Sequence, residues 1–288
     1  MILVTGATGA VGRPLVAALA SRGVAVRAVS RDPENAGLPA GVEVVAGDPS
    51  RPETIAPHFE GVTAVFMNSR AIRDATAAFA DLARERGVRR LVALAAYNVD
   101  QDLALQPSRY VRDRNRECEA AAESSGLAWV SLRPQVYAHM ALPQWGGQLA
   151  AGDEVAWPYA DFAEAVIDPR DVAEVAALAL LDDGLHGTKP VLTGPAAVTQ
   201  AEMVATIADV TGRPLRLRES TVVEFADLIA AMGLPPELAA SFIARYAAFE
   251  GRAPELTDDA ARLLGRPPRT YRDWAADHAA LLAGLRPA

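Results

Sequence analysis

Few side chains here have the type and setting for proton or hydride chemistry. His139 has the one side-chain type whose ordinary pKa suits proton transfer near neutral pH. It lies in a stretch rich in aromatic residues, where Tyr137, Trp145 and Tyr159 follow Tyr97 as candidates to line a substrate chamber. Four histidines at positions 58, 139, 186 and 278 show no metal-ligand spacing. The single cysteine, Cys118, excludes an internal disulfide and any multi-cysteine metal centre. No metal is expected. The strongest chemical signal is main chain: Gly6, Gly9 and Gly12 stand three apart in Thr5-Gly6-Ala7-Thr8-Gly9-Ala10-Val11-Gly12. They follow a short apolar run and precede Val11, Leu15 and Leu19 at helical spacing. Strand, bare loop and helix in that order bind a dinucleotide pyrophosphate. The first glycine permits the turn, the second lets backbone approach phosphate, and the third lets the helix pack on the strand. A plain tight turn is the simpler reading of the three glycines alone.

The elements that hold such a loop are legible in the first half of the chain. Runs at 2–4, 24–29, 42–45, 64–66, 91–94 and 128–132 are apolar almost throughout, as parallel strands buried on both faces must be. Helical stretches alternate with them, including 75–86 and 112–124, and Ser50-Arg51-Pro52-Glu53 reads as a capping box. This is a Rossmann-type α/β fold, a doubly wound parallel sheet. After Arg133-Pro134 the pattern fades, and 135–165 reads as an irregular region over the site. Asp168-Pro169 opens a helix, 190–193 is a short strand, and Thr199 to Glu202 is a second capping box whose helix stops at Gly212. The expected organisation is a dinucleotide-binding domain over 1–134, completed by segments within about 165–198. A mostly helical substrate-binding portion then comprises 135–165 and 199–288.

The formal charge of −8 gives no support for a nucleic-acid or anionic-membrane partner. Arg109, Arg112, Arg114 and Arg116 are interleaved with acids and read as a solvated helix face. The N-terminal apolar run suits a buried strand and is too short for a signal or membrane segment. The expectation is a cytoplasmic monomer or homodimer acting on a small molecule.

The end of the second strand selects between dinucleotides. Ser30 and Arg31 stand there, and Asp32 lies near the distance at which an acid would grip ribose hydroxyls. Arg31 and Arg13 favour NADP(H) over NAD(H), because a planar guanidinium suits a 2′-phosphate. Arg133, after the sixth strand, either reaches a ligand or pairs with an acid such as Asp168 or Asp171.

The Thr5–Gly12 loop resembles that of the short-chain dehydrogenase/reductase superfamily in its extended and atypical branches. Several later stretches narrow this. They are Gly47-Asp48, Glu119 with Ser125-Gly126-Leu127, Leu132-Arg133-Pro134, the run from Ile167 to Ala173, and Leu192 to Pro195. All are similar to the NmrA-like, NAD(P)H-binding group. The likeness is good to about residue 215, and Leu264 to Pro268 with Tyr271 and Trp274 resembles the tail of bacterial members. The resemblance implies that Gly6, Thr8, Gly9, Val11 and Gly12 wrap the pyrophosphate, while Ser30 and Arg31 meet the adenosine ribose. It further implies that Asp48 lies near adenine, and that Met67, Asn68, Ser69, Ala95 and Ala96, with Tyr97, border the nicotinamide.

The superfamily's usual Ser, Tyr and Lys are missing. Ala95 and Ala96 stand where the serine would follow the fifth strand. Tyr110 and Arg114 keep the Tyr–Lys separation but substitute arginine, and the register set by Glu119 falls one residue away, on Val111 and Asn115. Candidate proton donors are therefore Tyr97, Tyr110 and His139. The function expected is NADPH-dependent hydride transfer to a small conjugated or carbonyl acceptor of quinone, enone or imine type, since the cofactor carries the chemistry. A non-catalytic NADP(H)-sensing regulator with a protein partner is the alternative. An isomerase or epimerase on the same scaffold is the third.

Overall fold

The computed structural model describes residues 1–285. Among the described residues eleven strands form in chain order: β1 Ile2–Val4, β2 Val26–Ser30, β3 Glu43–Ala46, β4 Ala64–Asn68, β5 Arg90–Leu94, β6 Ala128–Pro134, β7 Glu154–Trp157, β8 Ala163–Glu164, β9 Val191–Leu192, β10 Val198–Thr199 and β11 Arg216–Glu219. Seven make one parallel sheet in the order β3-β2-β1-β4-β5-β6-β9. The chain runs outward from β1 to β3, returns, and continues from β4 to β9. The order therefore reverses between β1 and β4, where an open α/β sheet leaves a crevice at the carboxyl ends of its strands.

The strands are apolar because both faces are covered. One face carries Val4, Phe66, Val92 and Leu132 against the helices Gly12–Ala20 and Pro169–Leu181. The other carries Leu3, Val65, Met67 and Leu91 against Thr76–Glu85 and Asn115–Ser124. A third apolar cluster, built on Trp145, Trp157, Phe225 and Trp274, lies among the C-terminal helices. Those helices are Gln200–Thr211, Val222–Ala231, Pro236–Phe249, Asp259–Leu264, Tyr271–Asp277 and Ala279–Gly284.

Local signals account for most boundaries. The Asp168 side chain accepts from the Arg170 amide, with Pro169 at the first helical position. Thr199 and Glu202 form a reciprocal capping box, and Gly212 ends that helix in the left-handed conformation. Three expectations need correction. The 50–53 capping box does not form: Ser50 donates its hydroxyl to Asp48 at 2.7 Å, and two short 3-10 turns, Pro52–Thr54 and Ala56–Phe59, replace the helix. The expected helix 112–124 begins only at Asn115, because left-handed Arg112 closes a preceding 3-10 turn, Pro107–Val111. The region 135–165 is not irregular throughout, since it contains the helix Ala141–Ala151 and the strand β7. Gly146 and Gly147 are tolerated within that helix, where an added Cβ would meet nothing within 4 Å.

The junction of β1 with the first helix is a very close backbone approach. A Cβ on Gly12 would stand 2.1 Å from the Gly6 carbonyl oxygen and 2.8 Å from the Ala7 Cα, both main-chain atoms. Gly12→Ala is therefore expected to lower stability by about 1–3 kcal/mol through overpacking. Chemical denaturation of the two proteins checks this, the midpoint falling at unchanged m-value.

Candidate nucleotide site and aromatic chamber

The glycine loop divides its labour among three positions. Gly6 has φ +64° and sits against Asn68, so any side chain there is both strained and obstructed. Gly12 is closed by backbone contact, whereas Gly9 is exposed and a Cβ on it would meet only the Gly6 oxygen, at 3.2 Å. The space that a side chain at Gly9 would fill is the space a ligand needs. The Gly9 amide donates to the Gly6 carbonyl at 3.0 Å, and the helical ladder starts with Arg13 N–H to the Gly9 carbonyl at 3.0 Å. Between them, no backbone carbonyl among the described residues accepts from the amides of Ala10 or Val11. Unspent amides at a helix N-terminus attract an anion, so the residues present fit a pyrophosphate. Thr8 is exposed at this mouth; the Val11 side chain is buried, leaving its amide as the group available.

Thr5 ties the loop to β4. Its hydroxyl donates to the Phe66 carbonyl at 2.8 Å and accepts from the Asn68 amide at 2.8 Å. Asn68 in turn accepts from the amides of Arg70 and Ala71, capping the turn Ser69–Ile72. Its side chain thus faces the glycine loop while its carbonyl oxygen is occupied. Met67 is fully buried in the core and offers only backbone at the strand end. Ser69 is buried and donates to Asn115 at 2.6 Å; Asn115 donates to Ser108 at 3.2 Å. Ala95 is buried beyond β5 and Ala96 is half-buried beside it.

At the adenosine end, Ser30 is nearly buried, exchanging hydrogen bonds with the Asp32 backbone. The Asp32 carboxylate is engaged by Asn35 at 2.9 Å, in a turn of its own loop. Arg31 is exposed and forms no ion pair among the described residues. Arg13 is spent on the carbonyls of Ala36 and Gly37, so it braces that loop. Burial works against the charge on Asp48, but the hydroxyl and amide of Ser50, then Arg51 and Arg31, outweigh it and hold the carboxyl below its ordinary value.

The aromatic candidates gather at the other end. Tyr137, Trp145, Glu164, Phe242, Arg245 and Tyr246 line a cavity of about 30 Å³, room for a water. Tyr97 reaches the same place: its hydroxyl accepts from Arg245 Nε at 2.9 Å. Tyr159, with φ +56°, lays its ring 5.5 Å from that of Tyr246. Two buried polar atoms here have no partner, the Tyr137 hydroxyl and Trp145 Nε1. His139 lies next to Tyr137, ring centroids 5.3 Å apart, with Nδ1 also unpartnered. Tyr110, in the 3-10 turn before left-handed Arg112, packs against the Trp145 cluster, and Arg114 is spent on Asp74 and backbone. The fold therefore does not bring Tyr110 and Arg114 together as a helical i,i+4 pair. Arg133 pairs with Glu119 at 2.6 Å and Asp100 at 2.7 Å, correcting the expected partners Asp168 and Asp171.

Two residues central to this chamber escaped the sequence reading, Arg245 and Glu164. Arg245 lies on the buried face of Pro236–Phe249, with Leu238, Ala239, Ser241 and Tyr246. A charged residue in phase with an apolar stripe was the available signal. Glu164 carried none.

A Rossmann sheet with this loop at its switch point defines a dinucleotide-binding fold. The chain belongs to the NAD(P)H-binding family, whose model matches residues 6–183. It is 36% identical over 288 residues to a (4-alkanoyl-5-oxo-2,5-dihydrofuran-3-yl)methyl phosphate reductase of Streptomyces griseus, covering 98% of this chain and 99% of that one. It is 30% identical to an NAD(P)H azoreductase of Xenophilus azovorans, covering 97% and 98%. The NADPH-dependent quinone oxidoreductase QOR2 of Escherichia coli shares the fold, with a TM-score of 0.79 at 22% identity over 96% of this chain and 99% of that one. Among the described residues no helix is long and apolar enough to cross a membrane, and no three His, Cys, Asp or Glu side chains gather for a metal.

Burial pushes the His139 pKa down to about 4, with Arg70 adding to the effect and Asp168 opposing it. The folded value lies below the ordinary one, so the unfolded chain binds more protons between about pH 4 and 6.5. Stability is therefore expected to fall as pH drops through that window. Thermal unfolding across it should show a smaller loss in His139→Phe than in the wild type.

Proposed function

We propose that the protein is an NADPH-dependent reductase of small conjugated or carbonyl acceptors, of quinone, enone or imine type. One observation carries this reading. The phenol of Tyr97, held by Arg245, stands beside a small chamber of aromatic rings and polar groups built partly by the segments that follow β5 and β6. That is where open α/β sheets take their ligands. The relatives named above are reductases of a dihydrofuranone phosphate and of azo compounds, both unsaturated acceptors. When bound at the glycine loop, NADPH supplies the hydride. The chain's own residues hold the phosphates through the Ala10 and Val11 amides and offer a phenolic proton from Tyr97. The neutral His139 is left without that role at physiological pH.

NADP(H) is preferred over NAD(H) in this reading because Arg31 stands exposed and unspent after β2, while the competing acid, Asp32, is bound to Asn35. Arg31→Ala is expected to weaken NADPH binding about tenfold or more and leave NADH binding nearly unchanged, since the lost contact is to the 2′-phosphate. Equal losses for both nucleotides would reassign the arginine.

A non-catalytic sensor remains the second reading, favoured by the smallness of the cavity. The two separate when NADPH is mixed with a panel of quinones, enones and imines and its absorbance followed. The reductase oxidises it with at least one class and not without an acceptor. A sensor binds NADPH and NADP+ with different affinities and turns over nothing.

A further inference from the structure

We infer that Arg245, locked by Glu164, is the positioning residue that makes Tyr97 the proton donor of this reductase, in place of the missing lysine. The inference rests on the reductase reading above. It starts from three side chains that are far apart in sequence. Arg245 donates from its two terminal nitrogens to the two carboxylate oxygens of Glu164, at 2.8 and 2.7 Å, and from Nε to the Tyr97 oxygen at 2.9 Å. Arg245 is 6% exposed and Glu164 3%. Its guanidinium carbon also lies 5.2 to 5.8 Å from the ring centres of Phe162, Tyr97 and Tyr246. A guanidinium gripped in a two-pronged fork and walled by rings has one orientation.

That orientation decides what Tyr97 can do. Its oxygen receives a hydrogen bond, and among the described residues nothing accepts its own proton. A phenol that receives from a cation and has not spent its O–H is polarised toward giving the proton away. Burial raises the Tyr97 pKa, with Glu164 adding to the rise and Arg245 opposing it through its charge and hydrogen bond. Removing Arg245 would leave only the groups that resist ionisation. The charged and titratable groups facing Tyr97 are Arg245 from the helix Pro236–Phe249 and Glu164 from β8, with Tyr246 on the far side of Arg245. A surface Tyr–Arg contact would stabilise little. Here Arg245 and Glu164 are buried and Tyr97 is half-buried, so the contact acts at a lower dielectric than a surface pair.

The acceptor gains hydride from the reduced nucleotide at one end of its conjugated system. At the other end it takes the proton from Tyr97, whose O–H bond breaks. The phenolate left behind is held by the Arg245 Nε–H until water returns a proton. Glu164 takes no part in the transfer.

Arg245→Met alone strands a buried carboxylate and invites unfolding. The test therefore uses the paired change Arg245→Met with Glu164→Gln, the single Tyr97→Phe, and all three together, each checked for its thermal midpoint. With an acceptor that the wild type reduces, Tyr97→Phe is expected to lower kcat on the order of 100-fold at similar KM. The paired change should cost tenfold or more, and adding it to Tyr97→Phe should cost nothing further. The basic limb of the kcat profile should move to higher pH in the paired variant. Ultraviolet difference titration without substrate should show the tyrosinate signal absent from Tyr97→Phe moving the same way. Additive losses, an unmoved limb, or an unmoved tyrosinate signal in a wild type that does reduce an acceptor overturn the role of Arg245 alone. A wild type that reduces nothing on the panel overturns the reductase reading and this inference with it.

Discussion

A single close approach governs the molecule: the first helix lies so near the end of β1 that position 12 has room for a hydrogen atom and nothing more. Beside that contact the amides of Ala10 and Val11 have no backbone acceptor among the described residues, and bare Gly9 leaves open the space that a phosphate would need. Thr5 extends the constraint sideways by fastening the loop to β4, and Asn68 hands it on to the following turn. The switch point of the sheet and the anion site are therefore one rigid unit, set by backbone.

The second unit is looser in sequence and tight in space. The segment after β5, the strand β8 and the helix Pro236–Phe249 meet at Tyr97, Glu164 and Arg245. A buried ion pair of this kind gives little net stability, because desolvation offsets most of the attraction. What it supplies is direction: it fixes the guanidinium whose Nε–H meets the Tyr97 oxygen. The same helix hydrogen-bonds through Ser241 to the Ala104 carbonyl, so the wall of the chamber is pinned to the segment that carries Tyr97.

Most of the nucleotide-binding half was readable from sequence because its signals are local. Apolar runs buried on both faces, glycines at a turn, and caps such as Asp168 and Thr199 each act within a few residues. Failures came where tertiary partners decided. Ser50 turned to Asp48 in preference to capping a helix, and Arg133 took Glu119, a helical residue that no spacing rule ties to a strand end. Arg13 bonds the carbonyls of Ala36 and Gly37, a contact 23 and 24 residues away that no local pattern announces. Arg245 lies 148 residues from Tyr97, a distance over which periodicity says only that the arginine sits on an apolar face. The chamber is thus the least legible part, since it is made of contacts between segments that share no local pattern.

The backbone cradle is tested most directly by calorimetric titration of NADPH into the wild type and into Gly9→Val. The account predicts saturable, single-site binding to the first and none to the second, with thermal midpoints that stay close. Absence of binding by the wild type, or equal affinity in both proteins, would contradict it.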